Sequence, residues 1–251
     1  MAVLWNKKTA DTTYEVRQAG KSIRLYTNGV FHSQYHPERA WSGGVWDLLL
    51  LPAFFYPKQR IRRVLVLGVG GGSVIRQLNK YFEPDEIIGV ELNKIHLQVA
   101  KRFFAVSNKV ATLHHADAIE WVKNYQGEKF DLVIEDLFGE EKGEPVRAIQ
   151  ADVSWFKQLN KLIKPNGMLV MNFISPVEIR ECAYLQDEGV NNMFKIAHKF
   201  SLMSYENVVG AFLKKEVLKD EFYKNLGLLP KLNQAVKSNN IYFKLRRLVR
   251  F

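Results

Sequence analysis

The chain has 251 residues, 47% of them apolar and 25% charged, which is long enough for one large domain with an appendage and apolar enough for a true core. Its single cysteine, Cys182, excludes an internal disulfide and fits a reducing compartment. The formal charge of +10 does not make the whole chain basic: residues 214–251 hold ten Lys or Arg against three acids, a net +7 that leaves +3 for the rest.

Taken in order, the N-terminal segment Met1-Ala-Val-Leu-Trp-Asn-Lys-Lys carries no long apolar stretch and does not read as a signal peptide. The longest apolar run, Leu48–Tyr56, is interrupted by Pro52 and is too short to span a bilayer, so a cytoplasmic protein without membrane association is expected. Residues 13–35 alternate apolar and polar side chains around Ala19-Gly20 and Asn28-Gly29, the latter a strong hairpin signal, and predict a small antiparallel sheet. Arg39–Phe55 reads as a helix. From Arg63 to about Lys215 strands and helices alternate, which predicts a mostly parallel sheet covered on both faces. Val208–Leu213 reads as a late strand, antiparallel at or near an edge. The expected division is a β-hairpin domain at 1–38, a Rossmann-like nucleoside-binding domain at 39–215 and a basic helical extension at 216–251.

Four strand tips carry the chemistry. Val64-Leu-Val-Leu runs into Gly68-Val-Gly-Gly-Gly-Ser73 and then a helical pattern at Val74–Phe82. A strand turning on glycine into a helix places backbone N–H groups at the sheet's carboxyl edge, although Ser73 breaks the G-x-G-x-x-G dinucleotide pattern. Ile87-Ile-Gly-Val-Glu91 ends in an acid suited to both hydroxyls of a ribose. Val110–Asp117 and Phe130–Asp136 are two further strands that end in acids. Each signal alone has an ordinary explanation: a tight turn, a loop acid, or a helix cap in the case of Asp117. Their order together describes a nucleoside site with no pyrophosphate to neutralise.

These residues resemble the polyamine aminopropyltransferase (spermidine synthase) family, within the class I S-adenosylmethionine-dependent methyltransferase fold, over roughly residues 13–215. The family's G-G-G-D-G-G, V-E-[IL]-[DN], G-D-A and D-[SC]-S-D-P segments correspond to Gly68-Val-Gly-Gly-Gly-Ser73, Val90-Glu-Leu-Asn93, Ala116-Asp-Ala118 and Asp136-Leu-Phe-Gly-Glu140. The resemblance implies that Gly68, Gly70 and Gly72 shape the nucleoside loop, that Glu91 holds the ribose and that Asp117 holds the adenine amino group. It further implies that Asp136 orients or deprotonates the attacking amine and that Asn172 and Tyr205 line the acceptor pocket. The implied co-substrate is S-adenosylmethionine or its decarboxylated form, with an amine acceptor such as a polyamine and a homodimer formed through the N-terminal region. Two family acids are replaced, by Gly71 and Gly139, and the Tyr-His-Glu segment has become Val45-Trp46-Asp47 with only an acid kept.

The expected activity is aminopropyl transfer. A neutral amine attacks carbon next to a sulfonium, and acids bind the cations and accept the proton. Glu135, Glu140, Glu141 and Glu144 give the Asp136 loop a locally acidic character, or a solvated charge run. Methyl transfer from S-adenosylmethionine itself is the first alternative, since an acid missing at Gly71 no longer repels the donor's carboxylate. A nucleoside-binding homologue that has lost catalysis is the second. The segment Tyr242–Phe251 mixes basic and aromatic residues suited to nucleic acid, although a surface helix packed on the domain is the preferred reading. His114 and His115 alternate across a strand and find no companion ligands, so no metal is expected.

Overall fold

The computed structural model describes residues 1–39, 41–141, 144–229 and 243–250, apart from the side chains of residues 140, 141 and 144. Four strands, β1 (Ala2–Lys8), β2 (Thr13–Ala19), β3 (Ser22–Thr27) and β4 (Val30–Tyr35), pair antiparallel in sequence order. Asn28 at φ +49° and Gly29 at φ +84° turn β3 into β4, the left-handed pair that matches strand twist in a two-residue hairpin. β1 was not foreseen; only Trp5 along it is partly buried, so it shows little apolar pattern.

The helix expected over Arg39–Phe55 is shorter. Gly43 at φ +75° delays its start, α1 spans Val45–Leu50, and a 3-10 turn at Leu51–Phe55 follows because Pro52 cannot donate to an α-helical ladder.

The chain then runs β5 (Arg63–Leu67), α2 (Ser73–Tyr81), β6 (Glu86–Glu91), α3 (Lys94–Phe103), β7 (Thr112–His115), α4 (Ala118–Asn124) and β8 (Phe130–Glu135). A hairpin of β9 (Phe138–Glu141) and β10 (Glu144–Arg147) precedes α5 (Val153–Leu162) and β11 (Ile163–Phe173). Three short helices, α6 (Pro176–Glu181), α7 (Ala183–Gln186) and α8 (Glu188–Asn191), lead to β12 (Ile196–Ser201) and β13 (Val208–Leu213), and α9 (Lys219–Gly227) and β14 (Lys244–Leu248) end the described chain.

The main sheet has the order β14-β12-β13-β11-β8-β5-β6-β7. β5, β6, β7, β8 and β11 are parallel, whereas β13, β12 and β14 join antiparallel. This is the class I methyltransferase-like fold with a small N-terminal sheet. The central strands are apolar throughout because both faces are covered: Val64, Val66, Leu132 and Ile134 pack on one side, Leu65, Leu67, Val133 and Met171 on the other. β13 lies two strands in from the edge, since β12 and β14 both add outside it.

Among the described residues of the extension expected to be helical over 216–251, the helix is α9. Lys244–Leu248 forms the edge strand instead: it pairs antiparallel with β12 and buries Leu248 while its basic side chains point to solvent. Charged residues on an edge discourage further strand addition. Of the aromatic and basic segment, Tyr242 and Phe251 lie outside the described residues. No helix among the described residues is long and apolar enough to cross a membrane.

The order of the sheet reverses between β5 and β8, and in such sheets the crevice outside the strands' carboxyl ends receives ligands. The N-terminal sheet sits over that crevice and is stitched to it. Ser33 Oγ accepts the Gly71 N–H at 2.7 Å, Ser73 Oγ accepts from Gln34 N at 3.0 Å and donates to Gln34 O at 2.8 Å, and Thr27 Oγ1 and His96 Nε2 are 2.8 Å apart.

Candidate functional site

The loop from β5 to α2 opens the site. Gly68, Gly70 and Gly72 all take positive φ. At Gly68, φ +84°, a Cβ would also run into the Asp136 carbonyl oxygen, so the two strand tips can lie side by side only with glycine here. The loop borders a cavity of about 840 Å³, within the range of small-molecule sites.

Glu91 ends β6 and is buried, with 9% of its surface exposed. Its Oε2 accepts the Val69 and Gly70 N–H groups at 3.0 and 2.8 Å, and Oε1 accepts that of Asn93 at 2.8 Å. Burial raises its pKa, while these three N–H groups hold it down. The carboxylate therefore fastens the glycine loop from the cavity floor. Asp117 is exposed and caps α4 through Oδ1, which accepts from Ile119 N at 2.7 Å and Glu120 N at 3.2 Å, and it also borders the cavity. Capping and cavity lining are thus compatible in one side chain.

Asp136 follows β8 at the switch point, and burial pushes its carboxyl up to about 6. Its Oδ1 accepts from Asn172 Nδ2 at 2.8 Å, and Asn172 Oδ1 in turn accepts from Asn207 Nδ2 at 3.2 Å. The Asn172 interaction and the nearby Arg147 guanidinium oppose the shift, and the Glu91 charge adds to it. A carboxylate near 6 is ionised at neutral pH and is a better proton acceptor than an ordinary aspartate.

Arg147, on β10, is a residue that sequence reasoning missed. Its side chain is 5% exposed and pairs with the fully buried Glu135 at 2.8 Å and with Glu178 at 3.1 Å. It also donates to the Asn172 carbonyl and lies 5.3 Å from the Phe173 ring centroid. Burial drives the Glu135 carboxyl up and the guanidinium pulls it down. Glu135 is therefore a structural partner of the hairpin, set behind the cavity, and not part of an acidic rim. The side chains of Glu140, Glu141 and Glu144 lie outside the described residues. Arg147 stands in a charged stretch, and its partners are on β8 and α6, so no local pattern marks it.

Of the sequence-selected residues, Gly68, Gly70, Glu91, Asp117, Asp136, Asn172 and Tyr205 border the one cavity, whereas Gly72 sits behind it as the N-cap of α2. His32 and Trp46 also border it, as do Asn207 and His96, which were not selected. Asp47, the acid kept in Val45-Trp46-Asp47, does not. It is fully buried and accepts from Ser42 N at 3.1 Å, from Gly43 N at 2.5 Å and from Gln77 Nε2. Among the described residues no group of three or more His, Cys, Asp or Glu is placed to hold a metal ion.

The fold and the cavity define a protein of the class I methyltransferase-like type with an antiparallel sheet over the carboxyl ends of the parallel strands. Residues 47–213 match the family described as the spermine/spermidine synthase domain, and the chain belongs to that family. It is 29% identical over 161 residues to polyamine aminopropyltransferase 2 of Caldanaerobacter subterraneus subsp. tengcongensis, covering 62% of this chain and 51% of that one. It is 24% identical over 196 residues to the polyamine aminopropyltransferase of Prochlorococcus marinus strain SARG, covering 74% and 63%. The chain thus spans between about half and just under two-thirds of these relatives' lengths. Among solved structures, a probable spermidine synthase from Corynebacterium glutamicum superposes with TM-score 0.71 at 14% identity over 90% of this chain and 87% of that one. Human methyltransferase-like protein 13 in complex with SAH gives 0.62 at 16% over 75% and 90%. Both likenesses show the fold.

Proposed function

We propose that the protein is a transferase that moves an alkyl group, by family an aminopropyl group, from an S-adenosylmethionine-type sulfonium to an amine. The observation that carries this reading is Asp136: a carboxylate with a raised pKa, held by Asn172, at the switch point beside the glycine loop. The residues present fit such a donor. Glu91 is a buried acceptor at the cavity floor, positioned for ribose hydroxyls, and Asp117 borders the neighbouring end for an adenine amino group. The donor supplies a carbon already activated by the positive sulfur. The protein's part is then to hold the amine in line and to take its proton. As the amine nitrogen bonds to that carbon, the carbon–sulfur bond breaks, its electrons leave with sulfur, and the proton passes to Asp136.

One observation favours methyl transfer as a second reading. A Cβ at Gly71 would meet Phe104 Cε1 and Ser33 Cβ at 2.8 Å, so the space where the family carries an acid is filled here. No side chain at that position can pair with a donor amine. Calorimetric titration with S-adenosylmethionine and with its decarboxylated form, followed by product mass, separates the readings. Tighter binding of the decarboxylated donor with a gain of an aminopropyl mass supports the first; the opposite preference with a methyl gain supports the second. Binding of neither defeats both. A homodimer through the N-terminal sheet belongs to the same proposal, supported by the exposed Val3 and Leu4 on edge strand β1, and sedimentation velocity tests it.

A further inference from the structure

Apart from the large cavity, a small hollow of about 40 Å³ opens between α2 and the chain that follows β4. His36 and Arg39 border it from that chain, and Ser73, Arg76, Gln77 and Lys80 border it from α2. Its lining shares no residue with that of the large cavity. A water takes up roughly 30 Å³ in the liquid, and pockets for drug-sized ligands start at about 300 Å³, so this hollow suits one small ion or one phosphate group.

Several of its polar groups are satisfied within the protein. Ser73 Oγ is bonded to the backbone of Gln34, Ser42 Oγ donates to Asp47 Oδ1 at 3.0 Å, and Gln77 Nε2 donates to the same carboxylate. Asp47 itself is fully buried and does not line the hollow. The basic groups are placed differently. His36 is 9% exposed, and its Nδ1 accepts the Glu38 and Arg39 N–H groups at 3.2 and 3.1 Å, which puts the ring proton on Nε2. That Nε2 lies 3.4 Å from Arg39 Nη2, and a guanidinium only donates. Two donors thus meet, and one oxygen that accepts from both would satisfy them. Arg76 Nη1 donates to Ala105 O at 3.2 Å, whereas its Nε is buried and has no hydrogen-bond partner among the described residues. None of the ion pairs among the described residues uses Arg39, Arg76 or Lys80, and Glu38, beside Arg39 in the chain, pairs with Lys21. Two guanidinium groups, an ammonium and an imidazole N–H form a donor set that suits a phosphate group, whose oxygens accept several charge-assisted hydrogen bonds at once.

We propose that this hollow is a phosphate-binding site that latches the N-terminal sheet to α2. His36 and Arg39 share one oxygen of the phosphate, and Arg76 and Lys80 hold the group from the helix. Because α2 begins at the glycine loop and β4 holds that loop through Ser33, the bound group braces the loop from outside the large cavity. None of the four basic residues belongs to the proposed donor site, so this site and the transferase reading fail separately.

The test is thermal unfolding of the full chain in inorganic phosphate against sodium chloride of equal ionic strength, with calorimetric titration of phosphate. Phosphate should raise Tm by at least about 2 °C more than chloride does. Arg39→Met and Arg76→Met should each weaken phosphate binding by at least about tenfold, the loss of a charged hydrogen-bonding group. Lys123→Met, on α4 and outside the hollow, should bind phosphate as the wild type does. Arg39 is exposed, so its variant tests the site even where Arg76→Met folds poorly. A phosphate effect no larger than that of chloride, or one that survives in Arg39→Met, overturns the site. Methyl phosphate is the second probe. Binding equal to that of inorganic phosphate supports the site with an ester as its ligand, and binding of inorganic phosphate alone supports it with the free ion.

Discussion

The two sides of the cavity are built differently. The side proposed to hold a nucleoside is made of strand tips: the glycine loop after β5, Glu91 at the end of β6, Asp117 after β7 and Asp136 after β8. Its main hydrogen bonds run between a carboxylate and backbone N–H groups, so its geometry follows from the parallel sheet itself. The rest of the lining includes single side chains from β4, α1 and the loop before β13, elements distant from one another in the sequence. A site of the first kind keeps its form while sequence drifts. A site of the second kind can change its ligand by a few substitutions, which is how one fold serves several chemistries.

The largest effect that would sharpen this contrast is expected at Asp136. Asp136→Asn removes the proton acceptor while keeping the shape and the contact with Asn172. Turnover should fall by about 10² to 10⁴-fold, the usual contribution of a general base, with the donor dissociation constant within a few-fold of wild type. Stopped-assay rates together with calorimetry read both quantities, and unchanged turnover would remove Asp136 from the chemistry. Next in size, Glu91→Gln should weaken donor binding by about 10 to 100-fold, the range for losing a hydrogen bond to a charged group. It should leave the acceptor KM nearly unchanged, and equal losses on both sides would break the division of the cavity into two halves.

A smaller effect concerns Arg147. With the Asp136 pKa raised to about 6, activity should fall tenfold per pH unit below that value, because protonation removes the base. Arg147 holds this pKa down, so Arg147→Lys, which keeps a less well-placed cation, should move the acid limb slightly upward, and Arg147→Met further upward. The kcat/KM profile between pH 5 and 9 checks the direction. An unmoved limb would make Arg147 a purely structural tie between the hairpin and β8.

The same contrast explains what could be read in advance. The strand-to-glycine turn, the acid after Ile87–Val90 and the acid after Phe130–Glu135 are local patterns, and local patterns locate strand tips in a parallel sheet. Gly72 shares the glycine run with its neighbours, yet it caps α2 behind the cavity because the loop has already turned into the helix. The hairpin β9–β10, the Glu135–Arg147–Glu178 cluster and the inward turn of Asp47 depend on partners distant in sequence, which no spacing encodes. β14 was hidden for a related reason. Its exposed basic residues suggest a solvated helix, and only pairing with β12 makes it a strand.

The smallest prediction concerns the seam between the halves. Ser33 is 1% exposed and its Oγ accepts the Gly71 N–H, tying β4 to the glycine loop at 2.7 Å. Ser33→Ala leaves that buried N–H without a partner, at a cost of about 1–3 kcal/mol. For a chain of this size each kcal/mol lowers Tm by about 2–4 °C, so a drop of several degrees is expected in differential scanning calorimetry. Because the Val69 and Gly70 N–H groups stay on Glu91, donor affinity should change far less than in Glu91→Gln. If Tm held while donor affinity collapsed, the glycine loop would be shaped by the N-terminal sheet and not by β5 and β6, and β4 would then belong to the proposed donor site.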